Sequence, residues 1–219
     1  MTEKNVHIVG FIPGTTLRDQ VRLNDEADPM MFPDRFSSVP RSIQELVRAD
    51  EKTANIYLTA QKVERLLNEI QFGFIGSLGI SITVGYPHRL VGDIDILVLE
   101  EDFEKTKRAL LCGAGVKQRN TTSVTFPPNA QELEQLCPGC SQIQSLSRVK
   151  VDVFSLSDSM LKAPGGFSKQ ISLTPIFGAK SDLLGFEFST VDLPFLLGAI
   201  GSQDKWKDNY DKWVLRGSV

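Results

Sequence analysis

Apolar residues recur at helical spacing between residues 53 and 70. Ile56, Ala60, Val63, Leu66, Leu67 and Ile70 share one face, while Glu64, Arg65 and Asn68 fall on others, so this stretch predicts an amphipathic helix. Phe72 to Ser77 follows as a short apolar strand closed by Gly76-Ser77, and Leu78 to Val84 as a second helix ended by Gly85-Tyr86-Pro87. Asp93 to Leu99 is almost continuously apolar, interrupted by Asp95, a pattern suited to a strand buried on both faces. Glu101 to Leu111 predicts a helix whose acidic first turn complements its dipole and which Gly113 and Gly115 would end. Val116 to Phe126 is weakly strand-like, and Ser147 to Leu156 alternates as a strand, with Val149, Val151 and Val153 opposite Lys150, Asp152 and Phe154. Pro164 to Phe188 reads as loops and strands. Helical spacing returns from Val191 through Leu193, Leu196, Leu197 and Ile200, then Trp206, Tyr210 and Trp213, and the two tryptophan rings, seven residues apart, are expected in the core. Helices alternating with a few strands imply a mixed α/β (α+β) fold built on a small sheet.

Two segments stand outside this pattern. Residues 1–50 read as a partly irregular N-terminal arm, punctuated by Pro13, Pro29, Pro33 and Pro40, with residues 51–219 forming the domain proper. Residues 127–141 read as an insertion carrying Cys137-Pro-Gly-Cys140. That spacing is half of a zinc site. With Cys112 as the third cysteine and only His7 and His88 available, a turn flanked by two small apolar residues is the simpler reading, and an odd cysteine count is a poor disulfide framework.

Composition narrows the function. With 41% hydrophobic and 23% charged residues the chain is not wholly disordered. A net charge of −3 argues against a general polyanion binder without excluding nucleic acid at a local basic groove. No apolar run approaches the roughly 18 residues that span a bilayer, and the N-terminus lacks the basic start and apolar core of a signal peptide, so a soluble cytoplasmic protein with no membrane partner is expected.

The chemistry concentrates between Gly76 and Asp152. Asp93 and Asp95 lie two apart, so on a strand both carboxylates leave the same face, roughly 6.5 to 7 Å apart at the backbone. Two such acids on an apolar strand repel each other and resist desolvation, and a divalent cation offsets both penalties; all-oxygen ligands favour Mg²⁺ or Mn²⁺. Asp152, on a later strand, completes a triad if the two strands are neighbours. Gly76-Ser77 is the complementary part. A small-residue turn at a helix N-terminus presents amide N–H groups to phosphate, and Ser77 adds a hydroxyl donor. A phosphate cradle beside a metal platform suits nucleotidyl transfer.

The stretch Ile75-Gly76-Ser77-Leu78-Gly79 through Gly85-Tyr86-Pro87-His88-Arg89-Leu90-Val91-Gly92-Asp93-Ile94-Asp95-Ile96 resembles the nucleotidyltransferase superfamily, the DNA polymerase beta-like fold. Within it the chain looks most like the minimal and abortive-infection-type proteins. Lys207-Asp208-Asn209-Tyr210-Asp211 resembles the Lys-Asp-x-x-Asp of their closing helix. The resemblance implies a small mixed sheet flanked by helices, and transfer of a nucleoside monophosphate from a nucleoside triphosphate such as ATP to a hydroxyl of an acceptor the sequence does not identify. It further implies that Asp93, Asp95 and Asp152 are catalytic and ligate the metal, and that Gly76, Ser77, Arg89 and Lys207 bind nucleotide. The sequence departs from the family in the 16 positions between Ser77 and Asp93, at the long end of its range, and in having no lysine near residues 196–199.

Simpler readings stand beside these. Asp93 and Asp95 could be acids at an exposed sheet edge, Asp152 an ordinary strand acid, and Arg89 and His88 loop residues. Lys207, Asp208 and Asp211 could form a solvated helix face, with Asp208 and Lys212 as an i, i+4 pair. A non-catalytic protein of the same fold that binds nucleotide or a protein partner, or the toxin of a toxin–antitoxin pair, is compatible with the same residues.

Overall fold

The computed structural model describes residues 34–114, 123–139, 146–157, 160–163, 168–170, 174–200 and 206–217. Most of the expected arm, residues 1–33, and Cys140 lie outside them.

The described chain is a mixed α/β fold around one sheet. In chain order it comprises α1 (Ile43–Ala49), α2 (Glu51–Leu66), β1 (Phe72–Ile75), α3 (Gly76–Val84), β2 (Ile94–Leu99), a 3₁₀ turn (Glu100–Asp102), α4 (Phe103–Ala114), β3 (Ser123–Phe126) and α5 (Ala130–Leu136). It continues with β4 (Val149–Ser157), β5 (Met160–Lys162), β6 (Ser168–Gln170), β7 (Phe177–Leu183), β8 (Phe186–Val191), α6 (Leu193–Ala199) and α7 (Trp206–Arg216). The strand order is β6-β5-β4-β2-β1-β8-β7, with β3 also paired to β4. β2 runs antiparallel to β1 and parallel to β4, so it is an interior strand, and its two faces each enter an apolar cluster, as its apolar sequence predicts.

Alternation along β2 sorts the two faces. Ile94, Ile96 and Val98 join a core with Tyr57, Leu67, Val151, Val153 and Phe188, into which α1 and α2 pack. Leu97 points the other way, into a second cluster with Ile80, Phe195, Tyr210, Val214 and Leu215 contributed by α3, α6 and α7. Asp95 shares the side of Leu97 by strand periodicity, which places the acids under the C-terminal helices.

Several expectations are revised. Within residues 1–50, residues 43–49 form a helix whose Ile43, Leu46 and Val47 are buried, capped by Ser42, whose hydroxyl accepts from the Glu45 amide at 3.2 Å. The stretch 127–141 contains α5, anchored by buried Leu133. Gly113 lies inside α4 and does not end it. A Cβ there would come 1.9 Å from Leu66 Cδ2, so the glycine serves the close approach of α4 to α2. Cys137, against the expectation from an odd count, is disulfide-bonded. Trp213 is not core but 49% exposed, stacked on Tyr210. No helix among the described residues is long and apolar enough to cross a membrane.

Candidate active site

The sheet register aligns four positions side by side. Ile75 pairs with Asp95, Asp95 with Asp152, and Asp152 with Ser123. Neighbouring strands lie ~4.8 Å apart, so Asp95 and Asp152 are adjacent acids, and the chain turns at Gly76 directly beside them. Asp93 sits one residue before β2. One carboxylate oxygen from each of Asp93, Asp95 and Asp152 lies within 4.8 Å of the other two. Asp93 is exposed, Asp95 half-buried and Asp152 buried.

Gly76 joins the acids to the turn that opens α3. Its φ is +63°, a left-handed conformation that side chains disfavour, and a Cβ would meet Asp95 Oδ2 at 2.5 Å. Glycine is therefore required twice over, for the bend and for the carboxylate beside it. No side chain caps the N-terminus of α3, which leaves the amides of its first turn available to an anion. At the other end Gly85, at φ +79°, closes the helix with its amide on Ser81 and Ile82 carbonyls.

The electrostatics of the acids are unbalanced. Burial first, then the charges of Asp93 and Asp152, push the Asp95 pKa up to about 8, while Lys150 and Lys207 act in the opposite sense. Asp152 is better supplied: its Oδ1 accepts from Ser123 Oγ, and Lys150 Nζ lies 2.5 Å from its Oδ2 and 4.0 Å from Asp93 Oδ2. Among the described residues Asp95 makes no ion pair. Three convergent hard oxygen donors with a carboxyl group held far above its ordinary range fit a divalent cation, whose charge would reverse that shift.

A second charged cluster lies on α7. Arg89 donates through Nε to Asp211 Oδ1 at 2.7 Å and through Nη2 to Asp211 Oδ2 at 2.9 Å. Nη2 also donates to Ser77 Oγ, and Nη1 to the Leu90 carbonyl at 3.1 Å. His88 bridges Ser81 Oγ, 2.7 Å from Nδ1, and Asp211 Oδ1, 2.8 Å from Nε2. Burial lowers the His88 pKa against the pull of Asp211, so the ring is neutral; Nε2–H then donates to Asp211 and Ser81 donates to Nδ1. Burial alone would raise Asp211, but the hydrogen bonds from Arg89 and His88 outweigh it and hold the group below its usual value. Ser81, His88 and Asp211 are 0%, 2% and 4% exposed, so this serine–histidine–aspartate string is a structural tie with no path for a substrate.

The sequence-predicted residues thus fall in two groups. Asp93, Asp95, Asp152, Gly76 and Ser77 meet at one mouth, with Lys207, exposed on α7, acting on Asp95 by its charge. Arg89 touches the same mouth through Ser77, but its guanidinium is buried against Asp211. The solvated-face reading of Asp211 is corrected, since it is buried and ion-paired; the loop reading of His88 holds for its backbone but not for its buried ring. Lys150, which the sequence pattern does not mark as a site residue, joins the acids. Its place two before Asp152 on one strand was the available signal.

No protein-family model matches the chain, and no curated protein matches it. Among solved structures, the chain is similar to the lincosamide antibiotic adenylyltransferase LnuA in its lincomycin-bound form. The TM-score is 0.46 at 14% identity, covering 72% of this chain and 94% of that one. The likeness is partial, and the chemistry below rests on the residues of this chain.

Proposed function

We propose that the protein is a metal-dependent nucleotidyltransferase that moves a nucleoside monophosphate from a nucleoside triphosphate to an acceptor hydroxyl. One observation carries the reading: the carboxylates of Asp93, Asp95 and Asp152 converge within 4.8 Å, and the turn at Gly76 touches one of them. A cluster of acids alone would be a weak sign; an uncapped helix N-terminus opening at the same mouth gives it a ligand that carries both metal and phosphate.

In this reading Asp93, Asp95 and Asp152 hold Mg²⁺ or Mn²⁺, which when bound supplies charge neutralisation at the phosphates. The first amides of α3 and the Ser77 hydroxyl grip the polyphosphate and hold the α-phosphorus facing the acids. Lys207 adds positive charge from α7. The acceptor oxygen forms the new O–P bond as the bond to pyrophosphate breaks, and its proton passes toward Asp152. Ser123 and Lys150 fix the orientation of that carboxylate. The test is Mg²⁺-dependent pyrophosphate release from a panel of nucleoside triphosphates by wild type and Asp95→Asn. Release by wild type that Asp95→Asn lowers by ~100-fold or more is expected of a lost metal ligand in the transition state. Equal behaviour of the two proteins defeats the assignment.

A further inference from the structure

We propose that Arg89 is a positioning residue and not a phosphate ligand: with Asp211 it forms a buried strut by which the C-terminal helix α7 aims the Ser77 hydroxyl into the phosphate-binding turn. The inference rests on the nucleotidyltransferase reading and assigns a task within the same site.

Counting donors supports it. A guanidinium carries five N–H groups. Nε–H is spent on Asp211 Oδ1, both protons of Nη2 on Asp211 Oδ2 and Ser77 Oγ, and one of Nη1 on the Leu90 carbonyl. One donor of the five is left, on a residue only 6% exposed, so the fork cannot present itself to a phosphate without dismantling the pair. The ion pair is bidentate and its acid is itself anchored by His88, so the guanidinium plane is fixed. Tyr210, the residue before Asp211, donates its hydroxyl to the His88 carbonyl at 3.2 Å, which ties the 88–89 backbone to the same helix.

The consequence falls on Ser77. Its oxygen accepts from Arg89, so one lone pair is occupied and the hydroxyl proton is turned away from the guanidinium. Ser77 is half-buried and stands in the first turn of α3, where that proton joins the free amides. A serine that could otherwise rotate becomes a fixed donor, pre-organised before nucleotide arrives. Lys207 lies one turn before Asp211 on the same face of α7, so a helix docked through Asp211 also carries Lys207 to the acids.

The test is a double-mutant cycle on nucleotide affinity, measured by calorimetry with a non-hydrolysable ATP analogue in Mg²⁺. The proteins are wild type, Ser77→Ala, Arg89→Lys and the double variant, with Mn²⁺ affinity in the absence of nucleotide as the control for the acids. Each single change is expected to weaken nucleotide binding by ~3- to 30-fold, and the double by no more than the larger single, because both remove one aimed hydrogen bond. Mn²⁺ affinity stays within about twofold throughout, which a general loosening of the fold would not spare. Should Arg89→Lys fail to fold, Asp211→Asn takes its place in the same cycle. Losses that multiply in the double variant, as for two independent ligands, or an Arg89→Lys protein with wild-type affinity, overturn the positioning role and leave the nucleotidyltransferase reading standing. A wild-type protein that binds no nucleotide overturns both.

Discussion

Two groups of charges meet the start of α3, one through Gly76 and the other through Ser77, and they are built on opposite principles. Around Asp211 every charge is answered: one acid receives both forks of Arg89 and the neutral imidazole of His88, and all three are sealed from water. Around Asp95 the charges are only partly answered. Three acids converge, burial and then the charges of its two neighbours push Asp95 up to about 8, and Lys150 attends the other two more closely. A satisfied buried network specifies one arrangement, whereas an under-compensated cluster stores a demand for a cation. The molecule spends rigidity at the first so that the second can stay open to a ligand.

The largest effect should follow from breaking the satisfied cluster. Arg89→Ala leaves the buried Asp211 without its charge partner, with His88 still bonded to it, and is expected to destabilise the fold by ~3–5 kcal/mol in chemical denaturation. A loss below 1 kcal/mol would mean that the pair is not buried in solution. Asp95→Asn should act in the other direction. It removes a carboxyl group that the metal-free fold holds protonated far above its ordinary value, so in EDTA at neutral pH the variant should melt above wild type, by ~2–4 °C for each kcal/mol of strain relieved, and in saturating Mg²⁺ below it. Parallel melting curves in both conditions would contradict the unbalanced cluster.

The pH dependence separates the regions by sign. Asp95 has a folded pKa raised to about 8, so its contribution is favourable at low pH and is lost as pH rises from its ordinary value, 3.8, toward about 8. His88 and Asp211 have folded values lowered, so theirs are present above their ordinary values of 6.5 and 3.8 and are lost as pH falls below each. Thermal melting in EDTA should therefore decline through Asp95 as pH rises from 3.8 to about 8, a decline absent in Asp95→Asn, and through His88 as pH falls below 6.5. The smallest effect belongs to Lys150→Met, which removes the ammonium competing for Asp152 and Asp93. Mg²⁺ affinity should tighten by ~3- to 10-fold, about the worth of one partly exposed charge pair. Weaker binding would show that Lys150 assists the cation and does not compete with it.

Much of this was legible in residue order. The near-continuous apolar run of β2 that carries Asp95, with Asp93 just before it, the glycine turn before α3 and the helical spacing of α2 each rest on one local signal, and local signals survive folding. The adjacency of Asp152 to Asp95 was conditional on strand order, which no local pattern carries. The pairing of Arg89 with Asp211, 122 positions apart, was illegible for the same reason: Lys207-Asp208-Asn209-Tyr210-Asp211 is as polar as any solvated helix until a partner is placed against it. The helix α1 did leave a trace. Ser42-x-x-Glu45 ahead of Leu46 and Val47 is a capping-box spacing, hidden by the prolines before it.

The most direct test of the account is a titration of the nucleotide-free protein with Mn²⁺, followed by electron paramagnetic resonance, for wild type, Asp95→Asn and Asp152→Asn. The account predicts saturable binding by wild type that weakens by at least ~10-fold in each variant, since each removes one of three convergent carboxylates. Equal affinity in all three proteins, or no saturable site in wild type, would contradict it.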